Sequence, residues 1–105
     1  MKILFDQGTP VPLRRYLPDH TITTAYEQGW ASLKNGQLLA EAALAGIDLL
    51  ITADQNLRYQ QNLRDRRIAI LVLGSTSWPK IQGWIEAIRG AITRVAPGTY
   101  EEVPI

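Results

Sequence analysis

Three short aliphatic runs constrain the fold of this chain more than any other feature: Lys2–Phe5, residues 48–52 (Asp-Leu-Leu-Ile-Thr) and residues 68–73 (Ile-Ala-Ile-Leu-Val-Leu). A strand with one wet face alternates apolar and polar residues, and these runs do not. Near-continuous aliphatic strands belong to parallel sheets covered on both sides. Parallel neighbours need long crossovers, and the intervals read as helices. Thr9 is placed to cap a first helix with Pro10 at its first position, closed at Leu17-Pro18. Residues 20–24 alternate Ile22 with threonines, as an edge strand does. Asn35 is placed to cap a second helix that Gly46 stops, with Leu38, Leu39, Ala42 and Ala45 on one face. Residues 57–63 form a short polar helix. In residues 78–95, Ile81, Trp84, Ile85, Ile88, Ile92 and Val95 recur at helical spacing, which predicts one long amphipathic helix before Pro97-Gly98, with Trp84 in the core.

Strand and helix thus alternate about four times, which predicts an α/β domain: a mostly parallel sheet of about four strands with helices on both faces, in three layers. Right-handed crossovers, with the polar second strand at an edge, favour the order 2-1-3-4. Residues 97–105 form an extended tail. Strand four is an aliphatic edge in need of cover, which this tail or a second copy of the chain supplies.

The 105 residues, 46% hydrophobic and 20% charged, fit one domain over residues 1–105. With 0 cysteines, disulfides, thiolate metal sites and cysteine nucleophiles are excluded, which fits a cytoplasmic setting. Residues 1–6 do not read as a signal peptide, and no apolar run approaches the roughly 18 residues of a membrane helix. A formal net charge of +1 excludes gripping a polyanion by bulk charge, so such a partner needs a local feature.

In open parallel sheets ligands bind beyond the carboxyl ends of the strands, at the point where the winding reverses. For this order that point lies between strands one and three, where Asp6 and Asp54 directly follow their apolar runs. An Asp at such a junction commonly caps a helix or forms a turn. Two at one switch point are the pattern that holds Mg²⁺ or Mn²⁺ through oxygen ligands. Thr52 and Gln55 stand beside the second acid, and the amide end of the first helix favours an anion.

The segments Lys-Ile-Leu-Phe-Asp-Gln-Gly-Thr-Pro, His-Thr-Ile-Thr-Thr, Gly-Trp-Ala-Ser-Leu-Lys-Asn-Gly-Gln-Leu-Leu and Leu-Leu-Ile-Thr-Ala-Asp-Gln-Asn-Leu, in that order over residues 2–75, resemble the short bacterial PIN-like domains. That family is related to the toxin ribonucleases of toxin-antitoxin pairs. The resemblance implies a hydrolase: a metal-dependent nuclease whose acids hold one or two divalent ions that activate water for attack on RNA. Asp6 matches the first family acid and Asp54 the acid after strand three. Gln7, Asn35 and Asn56 stand where the family has further acids; here they are polar supports without charge, and fewer charges hold a hard ion more weakly. Glu27 and Glu41, near the second helix, read as solvated acids.

Arg14 and Arg15 on the first helix, and Arg58 one turn after Asp54, could steer an RNA backbone; Arg64, Arg66 and Arg67 extend the basic face. A solvated basic face is the plainer reading of the same residues. Trp30 and Tyr59 could stack on bases, although packing is the commoner fate of both. His20 is the single histidine, so a nucleophilic triad has no support, and no glycine-rich nucleotide loop is present. The leading expectation is an Mg²⁺- or Mn²⁺-dependent ribonuclease, the toxin of a pair held by a small antitoxin, cytoplasmic and homodimeric. One alternative is a PIN-like interaction module without activity. Another is a receiver-like phosphoacceptor, with Asp54 after strand three.

Overall fold

The structure, a computed structural model, describes residues 1–55, 57 and 67–105. The expected helix at 57–63 lies outside them apart from Leu57, and so do Asn56, Arg58, Tyr59, Arg64, Asp65 and Arg66. The elements are β1 (Lys2–Phe5), a 3-10 helix (Val11–Tyr16), β2 (Thr21–Thr24), α1 (Asn35–Leu44), β3 (Leu49–Thr52), β4 (Ala69–Leu73), α2 (Trp78–Gln82), α3 (Ile85–Arg94) and β5 (Tyr100–Val103). The sheet is wholly parallel, in the order β2-β1-β3-β4-β5. Five strands therefore replace the expected four. The fifth is the tail, which pairs Ile70 with Tyr100 and Leu73 with Val103 and so covers the aliphatic edge of β4 from within the same chain.

Side-chain alternation divides the core in two. Ile3, Phe5, Leu49, Ile51, Ala69, Leu71 and Leu73 point to one face, under Leu13 of the 3-10 helix, Ile81 of α2 and Ile88, Ala91 and Ile92 of α3. Leu4, Leu50, Ile70 and Val72 point to the other, under Leu38, Leu39 and Ala42 of α1, with Leu57. Helices thus cover both faces, in three layers.

This placement has a topological consequence. The β1-to-β2 connection crosses the first face in one lateral direction, and the β2-to-β3 connection crosses the second face in the opposite direction, so the two share a hand. The β4-to-β5 connection crosses the first face again but moves the other way, and so has the opposite hand. Right-handed crossovers hold in about 98% of cases, and connections of both hands mean that the right-handed expectation fails for at least one of them. What overrides it is packing: α2 and α3 bury their apolar stripe against the sheet beside the 3-10 helix. The Tyr16 and Trp78 rings meet at 5.7 Å, and the Arg89 guanidinium donates to the Tyr16 carbonyl at 2.8 Å.

Local departures from the sequence pattern have local causes. The first helix is a 3-10 segment of 6 residues that begins after Pro10, because Pro10 and Pro12 lack the N–H groups of a regular turn. Thr9 does not cap it but is buried beneath it. Asn35 is the first residue of α1, with Lys34 in the N-cap position, and Gly46 ends the helix at φ +79°, as its placement predicts. Ala45 is exposed rather than on the buried face. The long final helix is two. Gly83, a weak helix former, and Trp84 make tighter turns onto Lys80 and Ile81, and α3 restarts with Ile88 N–H on the Trp84 carbonyl. That break rotates Trp84 out of the apolar stripe and leaves it 37% exposed instead of in the core.

Candidate active site at the carboxyl end of the sheet

β1 and β3 are adjacent, pairing Phe5 with Ile51, so the residues that follow them emerge side by side. Asp6 leaves β1 in a turn that its own side chain stabilises: Oδ1 accepts the Gly8 N–H at 3.1 Å and lies 2.9 Å from the Thr9 hydroxyl. The Thr9 hydroxyl also lies 2.8 Å from the Ile51 carbonyl, and its single proton serves one acceptor at a time. From β3 the fully buried Thr52 hydroxyl donates to Asp6 Oδ2 and accepts the Asp54 N–H at 3.0 Å. One hydroxyl thus ties the two acids that follow neighbouring strands. Two threonines and a backbone N–H fix the Asp6 carboxylate, as outer partners hold a ligating carboxylate. Of its roughly four lone-pair sites, those on Oδ2 take one bond from the described residues, that of Thr52.

Both acids face a cleft of about 360 Å³, whose walls also include Gln7, Ala25, Trp30, Ser32, Lys34 and Leu38. A second cleft of about 270 Å³ shares Asp6, Gln7 and Ala25 with the first and continues to Thr9, Val11 and Tyr26. The structure therefore brings together Asp6, Asp54 and Gln7, and it places Thr52 directly beneath them. Asn35 begins α1 next to Lys34. Gln55 lines a different cleft, with Gly74, Glu102 and Ile105 beside the tail. Among the described residues no group of three His, Cys, Asp or Glu side chains could hold a metal ion. Mg²⁺ commonly uses only one or two carboxylates, keeps several waters and completes its shell with substrate phosphate. The two acids on one cleft meet that minimum.

Arg14 and Arg15 lie elsewhere. Arg14 donates both terminal nitrogens to Glu27, at 2.7 and 3.3 Å. Glu27 is thus not simply solvated: it also accepts the Thr24 N–H at 2.9 Å, while its own N–H donates to the Thr24 hydroxyl. The Arg14 bond, followed by that of the Thr24 N–H, holds the Glu27 carboxyl below its ordinary pKa. Arg15 is exposed, and neither arginine lines either cleft. Sequence reasoning missed Lys34 and Tyr26 as cleft residues. Lys34 carried a signal only through its place just before α1.

Fold and site together define an α/β domain with a five-stranded parallel sheet and a carboxylate-bearing cleft at its switch point. Comparison of the chain with protein-family models, with curated proteins and with solved structures finds no match. Among the described residues no helix is long and apolar enough to cross a membrane.

Proposed function

We propose that the chain is a PIN-like, divalent-metal-dependent nuclease that cleaves RNA, and that it acts in the cytoplasm as the toxin of a pair silenced by a small antitoxin. The observation that carries this reading is the convergence of Asp6 and Asp54 on one cleft, tied through Thr52. Asp6, through Oδ2, and Asp54 would hold Mg²⁺ or Mn²⁺. When bound, the ion would supply an activated water at neutral pH and charge stabilisation for the phosphate. The protein's own contribution is positional. Thr52 and Thr9 fix the Asp6 carboxylate, the Thr52 hydroxyl anchors the backbone at Asp54, and the exposed Gln7 and Lys34 offer donors to phosphate oxygens. Two carboxylates repel a polyanion, so RNA would enter productively only with the cation. Cleavage of generic RNA with Mn²⁺ or Mg²⁺ tests the reading: wild type cuts and Asp54→Asn does not, while equal activity in both refutes it.

A second reading, an interaction module without catalysis, draws on the neutral Gln7 and on the Gly8 N–H and Thr52 hydroxyl already spent on Asp6. It predicts no heat of Mn²⁺ binding and no rise in melting temperature with Mn²⁺. The receiver-like reading draws on the strand order, which doubly wound flavodoxin-like sheets share. The opposite hand of the last crossover and the single acid after β1 weigh against it, and labelling of Asp54 by acetyl phosphate tests it.

A further inference from the structure

The two clefts that meet at Asp6, Gln7 and Ala25 each carry an aromatic residue in their walls, Trp30 in one and Tyr26 in the other. Tyr26 is 81% exposed, against 38% for Tyr16 and 37% for Trp84. Such exposure ordinarily goes with a mobile tip, but this loop is densely bonded. Ala25 N–H bonds the Phe5 carbonyl at 2.8 Å, and Trp30 N–H closes back on the Ala25 carbonyl at 2.8 Å. Inside that closure Gln28 N–H reaches Thr24, Gly29 N–H reaches Tyr26, and Gly29 takes φ +78°. Glu27, clamped by Arg14 and Thr24, pins the middle. The loop is a built platform that gives each cleft one aromatic, and Trp30 is braced against the core of the second face.

We propose that Tyr26 and Trp30 are stacking platforms for two bases of a single-stranded RNA, Trp30 in the Asp6–Asp54 cleft and Tyr26 in the cleft that adjoins it at Asp6. The inference rests on the nuclease reading above and gives it a substrate geometry. An aromatic in each of two clefts that share the polar residues Asp6 and Gln7 suits two bases of an unpaired strand with a phosphate between them. Stacking is tolerant of sequence because every base has a π-face. A protein partner fits less well, since charged residues are depleted at the cores of protein interfaces and this surface is centred on two carboxylates. A duplex keeps its bases stacked on one another and offers neither aromatic a free face.

The test measures fluorescence anisotropy of labelled oligouridine with Ca²⁺, which keeps binding apart from cleavage, and scores RNA cleavage with Mn²⁺ in parallel. Tyr26→Ala and Trp30→Leu each weaken binding roughly tenfold or more, and Tyr26→Phe binds as wild type does. Tyr26 is so exposed that its replacement leaves the fold intact, which a melting curve checks; the result therefore stands even if Trp30→Leu unfolds. Wild-type-like affinity in Tyr26→Ala, equal affinity for duplex, or no binding of oligouridine by the wild type each overturns the stacking proposal. Cleavage by the wild type that Asp54→Asn abolishes, with Tyr26→Ala binding normally, refutes stacking and keeps the nuclease. Aromatic-dependent binding without cleavage does the reverse.

Discussion

Replacing Thr52 by Val leaves a side chain of nearly the same shape but removes the hydroxyl that joins the ends of β1 and β3. Two bonds go at once: the donation to the Asp6 carboxylate and the acceptance of the Asp54 N–H. A hydrogen bond to a charged group contributes about 1.5–3 kcal/mol and a neutral one about 0.5–1.5. Because Thr52 is fully buried, water cannot readily take its place. Part of the loss is offset where the new methyl is buried. The expected cost is therefore about 2–3 kcal/mol, a large share of the roughly 5–15 that holds a domain together. At about 4–8 °C per kcal/mol for a domain near this size, the melting temperature falls by roughly 10–20 °C. Urea titrations of wild type, Thr52→Val, Asp6→Asn and the double variant, followed by circular dichroism, give the coupling directly. It should reach about 1 kcal/mol or more, and additivity within about 0.5 kcal/mol would refute the view that Thr52 acts through Asp6. Thr52→Ser, which keeps the hydroxyl and loses one methyl, should cost only about 1 kcal/mol.

A Cβ at Gly74 would lie 2.8 Å from the Ile105 nitrogen and 2.9 Å from its carbonyl oxygen. Gly74→Ala should therefore cost about 1–3 kcal/mol and expose the tail to carboxypeptidase, whereas Gly83→Ala, whose nearest neighbour is a carbonyl oxygen at 3.5 Å, should melt at or slightly above the wild-type temperature; equal melting points for the two would contradict the packing described. The Glu27 carboxyl is held below its ordinary pKa of 4.5, so its stabilising effect is whole above the unfolded-state value and is lost as pH falls through the lower folded value. Glu27→Gln should flatten the acid side of the melting-temperature profile below about pH 4.5, and an unchanged profile would show that the Arg14 pairing does not stabilise the fold.

The central strands were legible because an aliphatic run buried on both faces has few other fates. The edge position of β2 followed from its threonines. β5 was harder to assign: Glu101 and Glu102 break the aliphatic pattern, and only its pairing with β4 shows it as a strand of the sheet. The split of the final helix turned on Gly83, whose cost in a helix is too small to overrule a good apolar stripe until the packing of Ile81 and Ile88 is seen. At the site, the meeting of Asp6 and Asp54 could be read from topology, since strand order alone brings them together. The threonine network could not, because Thr9 reaches Ile51 across 42 positions of sequence. Arg14 looked like a ligand for RNA until Glu27, from a separate loop, turned out to hold it.

The reversed last crossover bears on the order in which the molecule assembles. β5 does not reach its place by the ordinary coiling of a strand-helix-strand unit; it depends on α2 and α3 first finding their seat beside the 3-10 helix. The edge that β5 seals on β4 should thus close late in folding and reopen early. Hydrogen exchange should show the amides of residues 100–103 exchanging through a sub-global opening shared with α3, while those of β1 and β3 wait for global unfolding. In kinetic terms the C-terminal segment is a latch set last, and mutations at its contacts should mainly speed unfolding.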